Sequence, residues 1–317
     1  MTGAATRVAI DLGGTRIRAA RVSSDGQLFP GADLATPTDD LSALLAAVAE
    51  AVARCGAGHP EEGARTVVGM GMPGVIDRAT GRLIRCQNIP AADGVAFHDL
   101  LAAHLRAEVR LDNDVNLAAV GERSAGAAAG TEDLVVLSLG TGVGAGIVSG
   151  GRLLRGAHGL AAEVADLPLF GDPWDPETRF QGPLEQAIGS VGLLRDYCER
   201  GGRGQVTDVE QLVGRRDHDP IAAAAIARLA ERVVITILAL RALLDPAVVV
   251  LTGGIGAAPP VVALVQELAG ELLGGTLDVQ VSALGAAAGL HGAGVLSLGQ
   301  VEPWVVAHPQ RSPAVDD

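Results

Sequence analysis

The stretch "VVLSLGTGVGAGIV", residues 135–148, carries a glycine at every second position: Gly140, Gly142, Gly144 and Gly146. The apolar run Val135–Leu139 enters it and a second short apolar run leaves it. Side chains alternate between the two faces of a strand, so this spacing strips one face of its Cβ atoms. A strand that gives up packing on one face marks a place where something approaches the backbone closely.

The N-terminus repeats the plan. "VAIDLGGTRIRAARVSSDGQL" (8–28) and "VVLSLGTGVGAGIVSGGRLL" (135–154) run in parallel with a few single-residue gaps, about 127 residues apart. Each has an apolar strand, Leu-Gly, a threonine (Thr15 or Thr141), a second strand and a polar turn before a leucine. One such hairpin is an ordinary β-turn. Two predict a duplicated domain, each half opening with strand, Gly/Thr turn, strand. Backbone N–H groups at such turns cradle anions, and glycine lets the anion come close.

Between and after the repeats, helical and strand patterns alternate, which implies an α/β architecture. Helices are predicted over 41–55, in "FHDLLAAHLRAEV", over Leu184–Arg200, Ile221–Leu244 and 259–273, and in "LGAAAGLHGAGVLSLG"; strands in "RTVVGMGMPGVID", over Glu108–Leu111 and in "AVVVLTGGIG". The expected division is a smaller N-terminal α/β domain over 1–112, with 296–317 packing back on it, and a larger C-terminal one over 113–295. The tail "QRSPAVDD" reads as disordered.

Bulk properties exclude several classes. The chain has 317 residues, 48% hydrophobic and 19% charged, and only 2% aromatic, so Ala, Val, Leu and Ile must fill the core. A formal net charge of −13 argues against a nucleic-acid partner. Cys55, Cys86 and Cys198 form no CxxC pair and read as reduced thiols of a cytoplasmic protein. A strand-like run beginning by Arg7 leaves no signal peptide to expect. The most apolar long segment carries Arg228, Glu231, Arg232 and Arg241, which points to a buried helix rather than a membrane span.

A third glycine turn, Gly253-Gly254-Ile255-Gly256, follows the strand Val248–Thr252. With the other two it suggests hairpins for phosphates and a turn on which a nucleoside lies flat. Asp11, ending the first strand beside Gly13-Gly14-Thr15, is placed to orient a Mg2+ ion through water; the plain alternative is a strand-end cap. In "LDNDVNLAAVGE", Asp112, Asn113, Asp114 and Asn116 crowd a strand-to-helix junction. Helix capping explains one of the four. A carboxylate at the carboxyl end of an α/β strand is where ligands bind, and Asp114 is the candidate base for an alcohol acceptor in phosphoryl transfer.

These segments resemble the ROK family (repressors, open reading frames, kinases), sugar kinases with the actin-like ATPase, ribonuclease H-like fold: two duplicated α/β domains with the active site in the cleft. "IDLGGTRIR" and "LSLGTGVGAGIV" resemble its two phosphate motifs, "GMGMPGVID" its glycine-proline turn beside the sugar, "LDNDVNLAAVGE" its catalytic segment, "PAVVVLTGGIG" its adenosine motif and "ALGAAAGLHGAGVL" its closing helix. The resemblance spans roughly residues 7–298. It implies ATP-dependent phosphorylation of a sugar hydroxyl, usually the one at C6, with Asp114 as general base. It implies sugar contacts from Gly74, Asn88, Asn113, Glu163 and Glu185. ATP would be held by Asp11, Gly13, Gly14, Thr15, Arg16, Thr141, Gly142, Gly253 and Gly254, with Mg2+ arriving on ATP. A homodimer is expected. A first strand at about Arg7 leaves no room for the N-terminal DNA-binding domain of the family's repressors.

One segment departs from the family. Typical members carry a zinc site: a His three residues after the sugar-binding Glu, then a Cys-x-Cys-Gly-x-x-Gly-Cys run. Here Asp166 stands three residues after Glu163, Gly182-Pro183-Leu184-Glu185 replaces Gly-Cys-Leu-Glu, and no cysteine lies between Cys86 and Cys198. The segment reads as zinc-free, with its prolines and Trp174 expected to pack as a plug. Asp166 would add a third carboxylate to Glu163 and Glu185, a set suited to an amino-hexose of glucosamine or kanosamine type; a solvated loop acid beside a glucose site is the alternative. The competing function is a non-catalytic, sugar-binding regulator.

Overall fold

The computed structural model describes residues 5–57, 65–77, 80–204 and 206–307. The tail expected to be disordered lies outside them. The chain divides into two units: one from the chain up to Ala125, Arg155–Ala161 and the chain from Ala287, the other from Gly126–Leu154 and Ala162–Ala286.

The first unit is built on a six-stranded sheet of β1 (Thr6–Leu12), β2 (Arg16–Val22), β3 (Leu28–Ala35), β4 (Thr66–Met72), β7 (Glu108–Asn113) and β13 (Val305–Ala307). Its order is β13-β7-β4-β1-β2-β3. β1, β4 and β7 are parallel, and β2, β3 and β13 join antiparallel. A small hairpin pairs β5 (Val75–Ile76) with β6 (Leu83–Ile84). The helices are α1 (Leu41–Val52), capped by Asp40, α2 (Phe97–Leu105), α3 (Asp114–Ala125) and the last helix among the described residues, Ala288–Leu298.

The strand period of two assigns the faces. Val8, Ile10 and Leu12 of β1, with Val68, Met70 and Met72 of β4, bury against α1 and α2. Gly69 and Gly71, the alternate residues of β4, face the opposite side. A Cβ on Gly69 would overlap the carbonyl of Ala293, and one on Gly71 would sit 3.3 Å from the Asp114 Cα. Glycines on the helices continue this backbone-to-backbone fit: a Cβ on Gly121 would overlap Ala288 O, and one on Gly292 would overlap Leu117 O. "GMGM" is thus read twice, methionines filling one face while Gly69 admits the helix Ala288–Leu298 and Gly71 the helix that begins at Asp114.

The second unit repeats the scheme with β8 (Leu134–Leu139), β9 (Val143–Ser149), β10 (Arg152–Leu153), β11 (Val248–Thr252) and β12 (Asp278–Val281), in the order β10-β9-β8-β11-β12. Numbering the strands within each main sheet gives 3-2-1-4-5 in the second unit and the same order with a sixth strand, β13, beyond the fifth in the first, the first, fourth and fifth being parallel in both. Its helices are α4 (Pro176–Gln181), α5 (Pro183–Ile188), α6 (Ser190–Glu199), α7 (Val209–Gly214), α8 (Pro220–Leu244), the short turn α9 (Gly253–Gly256) and α10 (Pro259–Leu273); Ala288–Leu298 is therefore α11. Val135, Leu137 and Leu139 share its core with Ile226, Val233 and Val265.

Two expectations are corrected. The helix read over Leu184–Arg200 is two, α5 and α6, broken at Gly189, whose backbone is extended (ψ 173). Glycine is needed there, because a Cβ would lie 2.7 Å from Glu185 O. Trp174 is no plug, being 86% exposed. The segment is held instead by Asp175, whose Oδ2 accepts from the Thr178 N–H and hydroxyl at 2.9 and 2.7 Å, and by Gly171, which packs on Thr178 and Pro183. Arg232 lies over the Phe170 ring at 5.8 Å. No helix among the described residues is long and apolar enough to cross a membrane.

Candidate active site

In the first unit, Asn113 ends β7 and Asp114 begins α3. Three of the four polar residues at this junction have structural partners. Asp112 is buried, and its Oδ2 accepts from Arg155 Nε and Nη2 at 2.8 and 2.7 Å. Its Oδ1 takes the Asn113 N–H at 2.9 Å and Asn116 Nδ2 at 3.0 Å. Asn113 Oδ1 caps α3 by accepting from the N–H groups of Val115 and Asn116, while its Nδ2 donates to Gly74 O at 3.1 Å. Asp114 differs: Oδ1 accepts the Val115 N–H at 2.8 Å, and Oδ2 has no hydrogen-bond partner among the described residues. Removal from water pushes its carboxyl above the usual range, opposed by that N–H.

Asp11 lies on β1 in the same unit. Burial, then the charge of Asp114, push its carboxyl up to about 6 against the pull of Arg18. Arg18 Nη1 stands 3.7 Å from Asp11 Oδ2. Gly289 of α11 leaves room for this carboxylate, since a Cβ there would be 2.9 Å from Oδ1.

The first glycine turn closes with Gly13 N–H donating to Arg16 O at 2.9 Å. Thr36 braces it, its hydroxyl on Gly13 O at 2.7 Å and its N–H on Thr15 O at 3.1 Å. Gly14 packs on Asn88, where a Cβ would come to 3.0 Å. Arg16 pairs with Asp33 of β3 at 2.7 Å, with both side chains about half exposed. Gly74 has φ 96 and is wedged on Ile84 O and Cys86.

The second turn closes with Gly140 N–H donating to Gly142 O at 3.0 Å. The N–H groups of Thr141 and Gly142 have no acceptor among the described residues, so two donors and a hydroxyl stand at an exposed tip. Glu185 of α5 sits against this turn, its Oε2 accepting the Val143 N–H at 2.9 Å. Gly253 has φ 84 and leaves no room for a Cβ above Leu139 O. A cavity of about 640 Å3 opens beside these turns, lined by Gly140, Thr141, Gly254, Ile255 and Ala258 and, from α7 and the residues before it, by Thr207, Asp208 and Glu210. That volume suits a nucleoside-sized ligand.

Glu163 precedes and Asp166 ends the 3-10 turn Val164–Asp166, which packs against α5; Glu163 is half-buried and Asp166 exposed. Among the described residues no group of three or more His, Cys, Asp or Glu is placed to hold a metal ion. Sequence reasoning missed Arg155, which joins Asp112 to the C-terminal segment by donating to Glu302 O and lying 5.9 Å from the Trp304 ring. It also missed the cavity wall of α7, whose signal was Asp208 as an N-cap accepting the Gln211 N–H.

Sheets ordered 3-2-1-4-5-6 and 3-2-1-4-5, each opened by a glycine hairpin, define the actin-like ATPase fold. The chain belongs to the ROK family, whose model it matches over residues 7–300. It is 32% identical over 195 residues to a glucokinase of Halalkalibacterium halodurans, which takes in 61% of this chain and 59% of that one, so the chain spans about six tenths of that relative's length. It is 30% identical to an N-acetyl-D-glucosamine kinase of Shigella flexneri over 83% of this chain and 87% of the relative. Among solved structures, a ROK family glucokinase from Streptomyces griseus in complex with glucose and AMPPNP superposes with a TM-score of 0.74 at 27% identity, covering 92% of this chain and 98% of that one.

Proposed function

We propose that this chain is an ATP-dependent kinase that transfers the γ-phosphate to the 6-hydroxyl of a hexose or amino-hexose. Asp114 takes the hydroxyl proton as the oxygen attacks, and burial, by raising its carboxyl pKa, makes it a stronger base than an ordinary carboxylate. The single observation that carries the reading is the Asp114 carboxylate: its neighbours at 112, 113 and 116 are committed to structural hydrogen bonds and its Oδ2 is not. The free N–H groups of Thr141 and Gly142 suit phosphate oxygens, and Gly13, Gly14 and Thr15 are assigned the same task. Mg2+ carried by ATP supplies charge neutralisation during transfer. Asp11 is the residue that would hold its water shell, which fits a carboxylate from which the Arg18 guanidinium stands off at 3.7 Å.

Gly74, Asn88, Asn113, Glu163 and Glu185 are assigned to the sugar, and names of relatives put glucose and N-acetylglucosamine among the candidates. Asp166, where relatives of this family carry the zinc-binding His, favours a free amine over an N-acetyl group. The segment 166–185 is assigned no zinc and the assembly is assigned as a homodimer. A coupled ADP-release assay across hexoses, run on wild type and Asp166→Asn, tests this. ADP release with some hexose is expected, and its absence for every sugar leaves the sugar-binding regulator standing. The substitution is expected to lower kcat/KM by about 1–3 kcal/mol for glucosamine or kanosamine, the scale of a hydrogen bond to a charged group, and little for glucose. Equal losses for both, or a preference for glucose throughout, remove the amino-sugar assignment.

A further inference from the structure

The second glycine turn is gripped by the junction of α5 and α6. Glu185 Oε2 accepts the Val143 N–H at 2.9 Å, and a Cβ on Gly142 would fall 2.8 Å from that same oxygen. The Ser190 N–H donates to Gly140 O at 3.0 Å, and its hydroxyl reaches Thr141 O at 3.5 Å. Gly189 lets the junction close, since a Cβ there would stand 3.3 Å from Thr141 O. Both carbonyls of the tip and the N–H that follows it are therefore tied to one helix pair, which leaves the Thr141 and Gly142 N–H groups for a ligand. The glycine at 142 exists for a carboxylate of this chain as much as for an anion from outside.

We propose that Glu185 is a positioning residue for the nucleotide's phosphates, and that sugar and nucleotide binding are coupled through its carboxylate. This deepens the kinase reading above and rests on it. One carboxylate oxygen fixes the direction in which the turn presents its two free donors. A sugar hydroxyl bound to the same carboxylate further orders that side chain, and so the turn. By linkage the nucleotide must then improve sugar affinity by the same factor.

The test is calorimetric titration of the full chain with AMPPNP and Mg2+, with and without glucose or glucosamine. For Glu185→Ala, nucleotide affinity without sugar is expected to fall about five- to tenfold, the scale of one lost ordinary hydrogen bond. Glu185→Gln keeps a carbonyl oxygen able to accept the Val143 N–H. Its sugar-free nucleotide affinity is expected to stay within about twofold of wild type while the sugar KM rises. Glu185→Asp, one methylene too short for Val143, serves if the alanine variant does not fold and is expected to lose nucleotide affinity. Unchanged sugar-free nucleotide affinity in Glu185→Ala or Glu185→Asp, with only the sugar KM raised, overturns the proposal and leaves Glu185 a sugar ligand alone. Wild-type chain that binds no AMPPNP overturns the kinase reading itself.

Discussion

The two glycine hairpins share a plan and differ in where their charge comes from. In the first, Leu12 pairs with Ile17 and four residues lie between; in the second, Leu139 pairs with Val143 across three. The first carries its own ions, with Asp11 opposite Arg18 in register. At the matching places of the second stand Ser138 and Gly144, also paired. The second turn instead borrows a carboxylate, Glu185, from a helix 42 residues further on. Duplication preserved strand order and turn position because those are fixed by backbone pairing. Side chains beside each turn, which the pairing of the strands does not need, were free to diverge.

The largest expected effect tests whether the first half holds the chemistry. Asp114→Asn should keep sugar and AMPPNP binding while lowering kcat by at least ~10²-fold, the usual worth of a positioned general base. The second half offers no counterpart: β12, the strand equivalent to β7, ends at Val281, and Ser282 and Ala283 follow. Steady-state kinetics decide it. More than about a tenth of wild-type kcat in the variant takes the base role away from Asp114.

The next effect compares Asp11 with Ser138, its equivalent. A carboxyl held at about 6 in the folded chain, above its ordinary value, binds its proton more tightly folded than unfolded. Stability therefore falls as pH rises from about 4 to about 6 and is level above that. Asp11→Asn should raise stability at pH 7 by roughly 1–3 kcal/mol, and the gain should vanish near pH 4. Ser138→Ala should change stability by about 0.5 kcal/mol or less at either pH. Thermal melts at both pH values check this, and a pH-independent gain in Asp11→Asn refutes the buried-charge account.

The sequence disclosed what repeats or alternates. Glycine and apolar periodicity gave both hairpins, and the boundaries of α10 at 259–273 and of α8 within one residue follow from amphipathic spacing with Pro at their starts. Short edge strands were not legible: β12 and β13 are four and three residues long, too few for a period to show. The role of Asp112 was also hidden, because its partner Arg155 lies 43 residues away with nothing local to pair them. Trp174 misled for a physical reason: a large aromatic in a loop reads as buried, yet here Asp172, Asp175 and the short helix α4 satisfy the loop through backbone N–H groups and leave the ring outside. Asp114 stood out in the sequence only as one of four. Its distinction comes from what the other three already bind.

The smallest expected effect concerns Ala162, where the chain returns to the second unit after the Arg155–Ala161 excursion. Ala162 has φ 71, a left-handed conformation in which an alanine Cβ is strained by about 1–2 kcal/mol. Its carbonyl accepts the Val164 N–H at 2.7 Å, and Glu163 between them has φ −71 and ψ 64, an inverse γ-turn. Strain at 162 and the tight turn at 163 together leave the Glu163 backbone little freedom. Ala162→Gly removes the strain and gives back about 0.5–1 kcal/mol in unfolded-state entropy, for a net gain of up to about 1 kcal/mol. For units of this size that corresponds to a rise of about 2–4 °C in melting temperature. The same freedom should loosen Glu163 and raise the sugar KM severalfold with kcat nearly unchanged, since a group that binds ground state and transition state alike acts on KM. A melting temperature that falls shows that the strain is already relieved by the surrounding packing. A melting temperature that rises with KM unmoved separates Glu163 from the sugar.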